Sequence, residues 1–194
     1  MIINHQKLKR TLAKQVPPAI KNKIFKDLEK EFERAKQKLL QDFENHAVSK
    51  ELDGREGASN LSNTLGGEGN LYSFIGFSGE DALAALRDLL RDGIKITNKT
   101  TDAKNLVFSI KIAVPSTDAI AAATPMPWAP GLSWAEGIER GISGLGNFLN
   151  KKTSASRSGR GIQIDFNVRT QTYSGVPYLT KILEDFISEL TKLK

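Results

Sequence analysis

Two rhythms of apolar side chains run along this chain. After Pro17-Pro18, the residues Ile20, Ile24, Phe25, Leu28, Phe32, Ala35, Leu39 and Phe43 recur at spacings of 4, 1, 3, 4, 3, 4 and 4. That is a single stripe at helical period. Proline is tolerated in a first helical turn, so a helix can open there. Glu29, Glu33 and Gln37 are placed on its outer face. About 28 residues at 1.5 Å rise make a rod of roughly 40 Å. A rod of that length suits either of two arrangements: a stripe shared with a neighbouring subunit, or a helix lying along its own domain. Ahead of it, Ile3, Leu8, Leu12 and Val16 mark a weaker basic helix over residues 2–16.

Further on, the period changes. Turn-forming residues dominate 48–70. Leu71, Ser73, Ile75 and Phe77 then alternate and predict a short strand. Leu83, Leu86, Leu89 and Leu90 give a helix over Glu80–Arg91. Ile94–Thr97 and the alternating Leu106, Phe108, Ile110, Ile112 and Val114 predict a hairpin around a polar turn at 98–104. Residues 115–132 are an Ala/Pro-rich loop, longer than a simple connector needs. Ser133-x-x-Glu136 is a capping box opening a helix. Ile162, Ile164, Phe166 and Val168 alternate as another strand, and Pro177 introduces a last amphipathic helix with Leu179, Ile182, Leu183, Phe186, Ile187, Leu190 and Leu193. Strands interspersed with helices in this order predict an α+β fold: a small antiparallel sheet covered by helices, with a long basic amphipathic N-terminal helix. The expected division is a basic helical segment, 1–48, and an α+β domain, 49–194.

The helix after Ser133 is unusual. It carries glycine at 137, 141, 144 and 146, each costing about 1 kcal/mol relative to alanine inside a helix. Such a helix must bend or admit another backbone closely. The Gly137, Gly141 and Gly144 face is therefore a candidate subunit contact. Trp128 and Trp134 flank Pro130-Gly131, and aromatic side chains beside proline fill either an interface pocket or a slot in the protein's own core.

Charge adds a second candidate. The net charge is +6 over 194 residues. Residues 1–48 hold eleven Lys/Arg against six Asp/Glu. Lys151, Lys152, Arg157 and Arg160 sit in a Ser/Gly-rich loop that contains no acid. Basic surface attracts polyanions, and such a loop can follow a phosphate backbone without reading sequence. Solvated helix and loop faces would carry the same charges.

Enzyme chemistry finds little support. Cysteine is absent, which removes thiolate metal sites and Cys nucleophiles. The two histidines, His5 and His46, lie in the basic N-terminal region and are expected to be exposed. Ser143 misses the Gly-x-Ser-x-Gly elbow because Leu145 replaces its second glycine. Asp102-Ala103-Lys104 resembles the acidic-x-Lys element of metal-dependent nucleases but lies in a turn. Gly66-Gly67-Glu68-Gly69 lacks the Gly-Lys-Ser/Thr ending of a phosphate loop. We therefore expect no catalytic residues, no metal and no cofactor. No apolar run approaches the roughly 20 residues that cross a bilayer, and no signal peptide is read at the N-terminus.

Four patches carry a family resemblance. They are Phe43-Glu-Asn-His-Ala-Val-Ser-Lys-Glu-Leu52; Asn60-Leu-Ser-Asn-Thr-Leu-Gly-Gly-Glu-Gly-Asn-Leu-Tyr-Ser-Phe-Ile-Gly-Phe77; the Pro130–Leu149 segment; and Ser158-Gly-Arg-Gly-Ile-Gln163. Together, over about residues 43–194, they resemble virion structural proteins of tailed bacteriophages, of the neck or tail-completion (head–tail joining) kind. The resemblance implies a homo-oligomeric ring between the portal or adaptor and the tail. It also implies transient, non-specific contact with DNA in the channel, no membrane, and assembly into the virion in the host cytoplasm. A tail-terminator ring would share these features. A free, sequence-independent nucleic-acid-binding protein is the competing class. Few aromatics lie in its basic regions for base stacking, and a steeply salt-dependent monomer–DNA complex would distinguish it.

Overall fold

The computed structural model describes residues 17–58, 60–66, 69–102, 107–127, 129–141, 148–149, 162–163 and 175–192. Helix α1 spans Pro18–Asn45 and α2 spans Ala47–Asp53. A short 3-10 turn, Arg55–Gly57, leads to α3, Leu71–Ile75, and α4, Ala84–Gly93. Strands β1, Lys95–Asp102, and β2, Val107–Ala113, form an antiparallel ribbon. Helix α5, Thr117–Ala123, is followed by the antiparallel pair β3, Pro125–Met126, and β4, Ala129–Ser133. Helix α6 covers Trp134–Arg140; β5, Phe148–Leu149, pairs with β6, Ile162–Gln163; and α7 covers Leu179–Thr191. The fold is α+β, with a long N-terminal helix and antiparallel strand pairs among further helices. Among the described residues no helix is long and apolar enough to cross a membrane.

The stripe on α1 is used unequally along its length. Its C-terminal half is core: Phe32, Ala35, Leu39 and Phe43 are buried. Helix α7 lies against it. Phe43 stacks on Tyr178, and Phe32 meets Phe186 edge-on. Lys38 pairs with Glu189 at 2.7 Å. Because lower numbers on α1 meet higher numbers on α7, the two helices run antiparallel. The N-terminal half instead packs against the ribbon, with Phe25 edge-on to Phe108 at 5.7 Å. Glu29, expected on the outer face, is half-exposed and pairs with Lys99 of β1. One apolar cluster runs from Phe32 through Leu52, Leu71, Leu86, Trp134 and Ile138 to Phe186. Residues on both sides of position 48 contribute to it. Each fully buried large side chain contributes roughly 1.5–3 kcal/mol.

Four local expectations are corrected. Residues 71–77 are not a strand. Asn70 caps α3 by accepting from Ser73 N at 2.9 Å, and Gly76 ends it at φ +97°. Within α3 the buried residues are Leu71, Tyr72 and Ile75, a helical i, i+1, i+4 set whose first and last members also fit the alternating pattern. Residues 115–132 are not an open loop. Ser116 caps the alanine-rich α5 by accepting from Ala119 N, and β3 and β4 follow. The glycine-bearing helix is short. Ser133 caps it as expected, accepting from Glu136 N at 3.1 Å, but it stops at Arg140, and Phe148-Leu149 are strand. The ribbon is longer than expected, because β1 continues through Asp102 and takes in the first part of the expected turn. Its register slips between Ile96 and Asn98, where Thr97 instead donates its hydroxyl to Lys111 O.

Candidate functional site

The candidate contact residues separate in the structure. Trp134 starts α6, is 1% exposed, and packs edge-on to Phe77 within the protein's own core. Of the two readings open for it, the structure places it in the core slot, so its ring offers no surface to a neighbour. Gly137 is half-buried inside α6. Gly141 follows the last residue of α6 at φ +98°, a conformation that favours glycine and ends the helix. A continuous helical face through Gly137, Gly141 and Gly144 is therefore interrupted at Gly141. Trp128, Gly144, Lys151, Lys152, Arg157 and Arg160 lie outside the described residues, as does His5.

His46 is not fully exposed as expected. It is half-buried at the break between α1 and α2. Its Nδ1 accepts the Val48 N–H, and its ring lies tilted against Tyr178, with the ring centres 4.8 Å apart. Burial lowers its pKa below 6.5, with the Pro177 carbonyl pulling the other way.

Two polar clasps hold the helices around this region. Glu51 is fully buried on α2, and its carboxylate accepts from Ser62 N at 2.9 Å, Ser62 Oγ and Leu71 N at 3.0 Å. Each of these donors lies beyond the 3-10 turn, so one side chain ties the 60–71 loop to α2. Asn70 adds a second tie by donating to Arg55 O and Ala58 O. On the surface, Arg87 of α4 reaches Glu44 of α1 at 2.8 Å, Asp53 of α2 at 2.8 Å and Asp81 at 3.0 Å. Glu44 first, then Asp53 and Asp81, raise its pKa above the ordinary arginine value. Both arrangements have every partner supplied from within the chain, which suits structural clasps and leaves no free reacting group. Among the described residues no cluster of three or more His, Cys, Asp or Glu side chains can hold a metal.

The remaining surface is best described as an arm. The N-terminal half of α1 and the β1–β2 ribbon form it by packing on one another, and Ile96, Ile110 and Ile112 of the ribbon seat it on the core cluster. At their outer parts Ile20 is 51% and Val107 48% exposed. Between α1 and the start of β1 lies an open groove of about 340 Å³, lined by Phe32, Ile94 and Ile96 and edged by Glu29, Glu33, Lys36 and Lys95. Opposite the apolar stripe, Lys23, Lys26, Lys30 and Arg34 are exposed at spacings of 3, 4 and 4, one face of the helix. Arg34 pairs loosely with Glu31 at 3.6 Å, whereas Lys23, Lys26 and Lys30 make no ion pair among the described residues. β1 and β2 pair only with each other among the described residues, so each has an outer edge with no strand beside it. The sequence could not separate this arm from the core, because one unbroken stripe serves both halves of α1.

No protein-family model, curated protein or solved structure matches this chain.

Proposed function

We propose that this chain is a structural subunit of a tailed-phage neck, forming a ring that joins the head to the tail around the DNA channel. The observation that carries the reading is the arm. It presents half-exposed Ile20 and Val107 and two strand edges that no other strand covers among the described residues. Unpaired strand edges are templates for another chain, and apolar side chains beside them favour a second copy of the same subunit. The four sequence patches supply the virion assignment. The exposed Lys23, Lys26, Lys30 and Arg34 stripe supports weak, sequence-blind DNA contact. The Lys151, Lys152, Arg157 and Arg160 loop is proposed to contribute to the same contact. The subunit's partners would be further copies of itself, the portal or adaptor, and tail proteins.

Light scattering after gel filtration tests the assembly step. The wild-type chain is expected to form a closed oligomer, and Ile20→Asp with Val107→Asp to give a folded monomer. A wild-type chain that stays monomeric at high concentration, with and without its portal, would refute the ring. In the virus encoding it, particles lacking the protein should yield filled heads and separate tails. Normal joined particles would refute the neck assignment even if the ring forms.

A further inference from the structure

One imidazole joins three parts of the fold. His46 is the only residue between α1 and α2, and its Nδ1 caps α2 by accepting the Val48 N–H at 3.3 Å. That bond requires a lone pair on Nδ1, so the ring is neutral with its proton on Nε2. The Pro177 carbonyl lies beside it, and the ring leans on Tyr178 at 4.8 Å. Tyr178 is itself buried, shares a 2.7 Å hydrogen bond with Ser49 of α2, and stacks on Phe43 of α1. The α1–α2 elbow and the entry to α7 are therefore held at one junction.

We propose that His46 is a proton-operated latch, which holds the α1–α2 elbow against the start of α7 when neutral and releases it when protonated. Protonation turns Nδ1 from an acceptor into a donor that faces the Val48 donor. The cap on α2 is then lost, and a cation is left half-buried against the Tyr178 ring. The other titratable and charged groups around the junction are Tyr178 itself, Glu44 of α1, Arg87 of α4 and Glu139 of α6. Glu44 is held by Arg87, and Glu139 by the backbone and hydroxyl of Thr180. Each carboxylate already has its own partner, and the shift at His46 is set by burial first and by Pro177 second.

The sign follows from linkage. The folded ring binds its proton less readily than the ring in the open chain, whose reference pKa is 6.5. The latch is fully effective above about 6.5 and weakens as pH falls from there toward the folded value. Between the two values the opening constant rises by up to about tenfold per pH unit. Below the folded value it levels off.

Two histidines make the experiment direct. Proton NMR of the full-length protein between pH 7.5 and 5 gives two imidazole titrations, and the one missing in His46→Asn belongs to His46. Amide protection at Val48, Ser49 and the first turn of α7 is followed over the same range. The expected result is a His46 midpoint below 6.5, with protection at both places falling as the ring protonates. His46→Asn keeps a side-chain acceptor for the cap but does not titrate, so its protection should be independent of pH. A His46 midpoint at or above 6.5 overturns the proposal, and so does pH-dependent protection that persists in His46→Asn. Should that variant fail to fold, the wild-type data still decide: loss of protection that does not coincide with the His46 midpoint overturns it.

Discussion

Gly175 stands where the chain enters α7, and a single methyl group there tests how firmly that entry is docked. A Cβ built at Gly175 would lie 2.0 Å from the Glu139 carbonyl oxygen and 2.9 Å from its carbon. Both obstacles are backbone, at the C-terminal end of α6, so no side chain can rotate away. Relief requires the two segments to separate by about 1 Å or more, since real contacts of this kind stay above roughly 3 Å. The segments are tied on either side of the clash. Val176 N donates to Ile138 O at 3.0 Å, and Thr180 donates through both N and Oγ1 to the Glu139 carboxylate at 2.7 Å each. Overpacking alone costs about 1–3 kcal/mol, and one weakened hydrogen bond adds about 0.5–1.5 kcal/mol. Gly175→Ala should therefore destabilise the protein by about 2–4 kcal/mol. For a chain of this size each kcal/mol lowers Tm by roughly 2–4 °C, which puts the expected fall at about 5–15 °C. Gly57→Ala is the matched control, because its added Cβ meets nothing within 4 Å. Parallel thermal and urea melts followed by circular dichroism would measure both. A Gly175→Ala protein that melts with the wild type would refute the docking of the α7 entry against α6.

Other substitutions follow from the same packing. Glu51→Gln replaces a buried acceptor of three hydrogen bonds with a group whose amide nitrogen cannot accept, and should cost about 1–3 kcal/mol in a urea melt; an unchanged midpoint would show that the 60–71 loop is not held by Glu51. Tyr178→Phe strips the buried Ser49 hydroxyl of its partner and should cost a similar about 1–3 kcal/mol, whereas the double variant with Ser49→Ala should recover part of the loss. Deleting residues 1–48 removes Phe32, Ala35, Leu39, Phe43 and Val48 from the single apolar cluster. The truncated chain should show no cooperative melt, and a well-folded 49–194 fragment would prove that α1 is dispensable to the core.

How much of this was legible in the sequence depended on whether a pattern had one structural solution. The stripe from Ile20 to Phe43 fixed α1 almost to the residue, because eight apolar positions at helical spacing fit no strand. Phe108, Ile110 and Ile112 fixed β2 for the converse reason. Leu71, Ser73, Ile75 and Phe77 had two solutions. Alternation over so few residues is shared by a strand and by one helical turn, and the decision fell to caps on either side. Asn70 and Gly76 were the visible signal, a side-chain acceptor before and a positive-φ residue after. Ser116 before the run Thr117–Ala123 was a cap of the same kind, hidden by the prolines that follow.

The candidate site was less legible, since its residues earn their roles from partners far away in sequence. A glycine followed by polar residues reads equally as a close contact or as a helix end, and Gly141 turned out to take the positive φ that ends α6. Trp134 reads as an interface anchor beside Pro130-Gly131, yet its indole meets Phe77, fifty-seven positions earlier in the chain. His46 shows the same limit most clearly. Nothing within ten residues marks it as more than one of two histidines in a basic region. Its buried setting comes from Tyr178, brought there by α7 running back along α1. The long helix thus has two separate tasks. Its C-terminal half builds the core and positions the junction at His46, and its N-terminal half carries the exposed arm. A substitution that abolishes assembly without unfolding the chain should therefore be sought before Phe32, and one that unfolds it should be sought after.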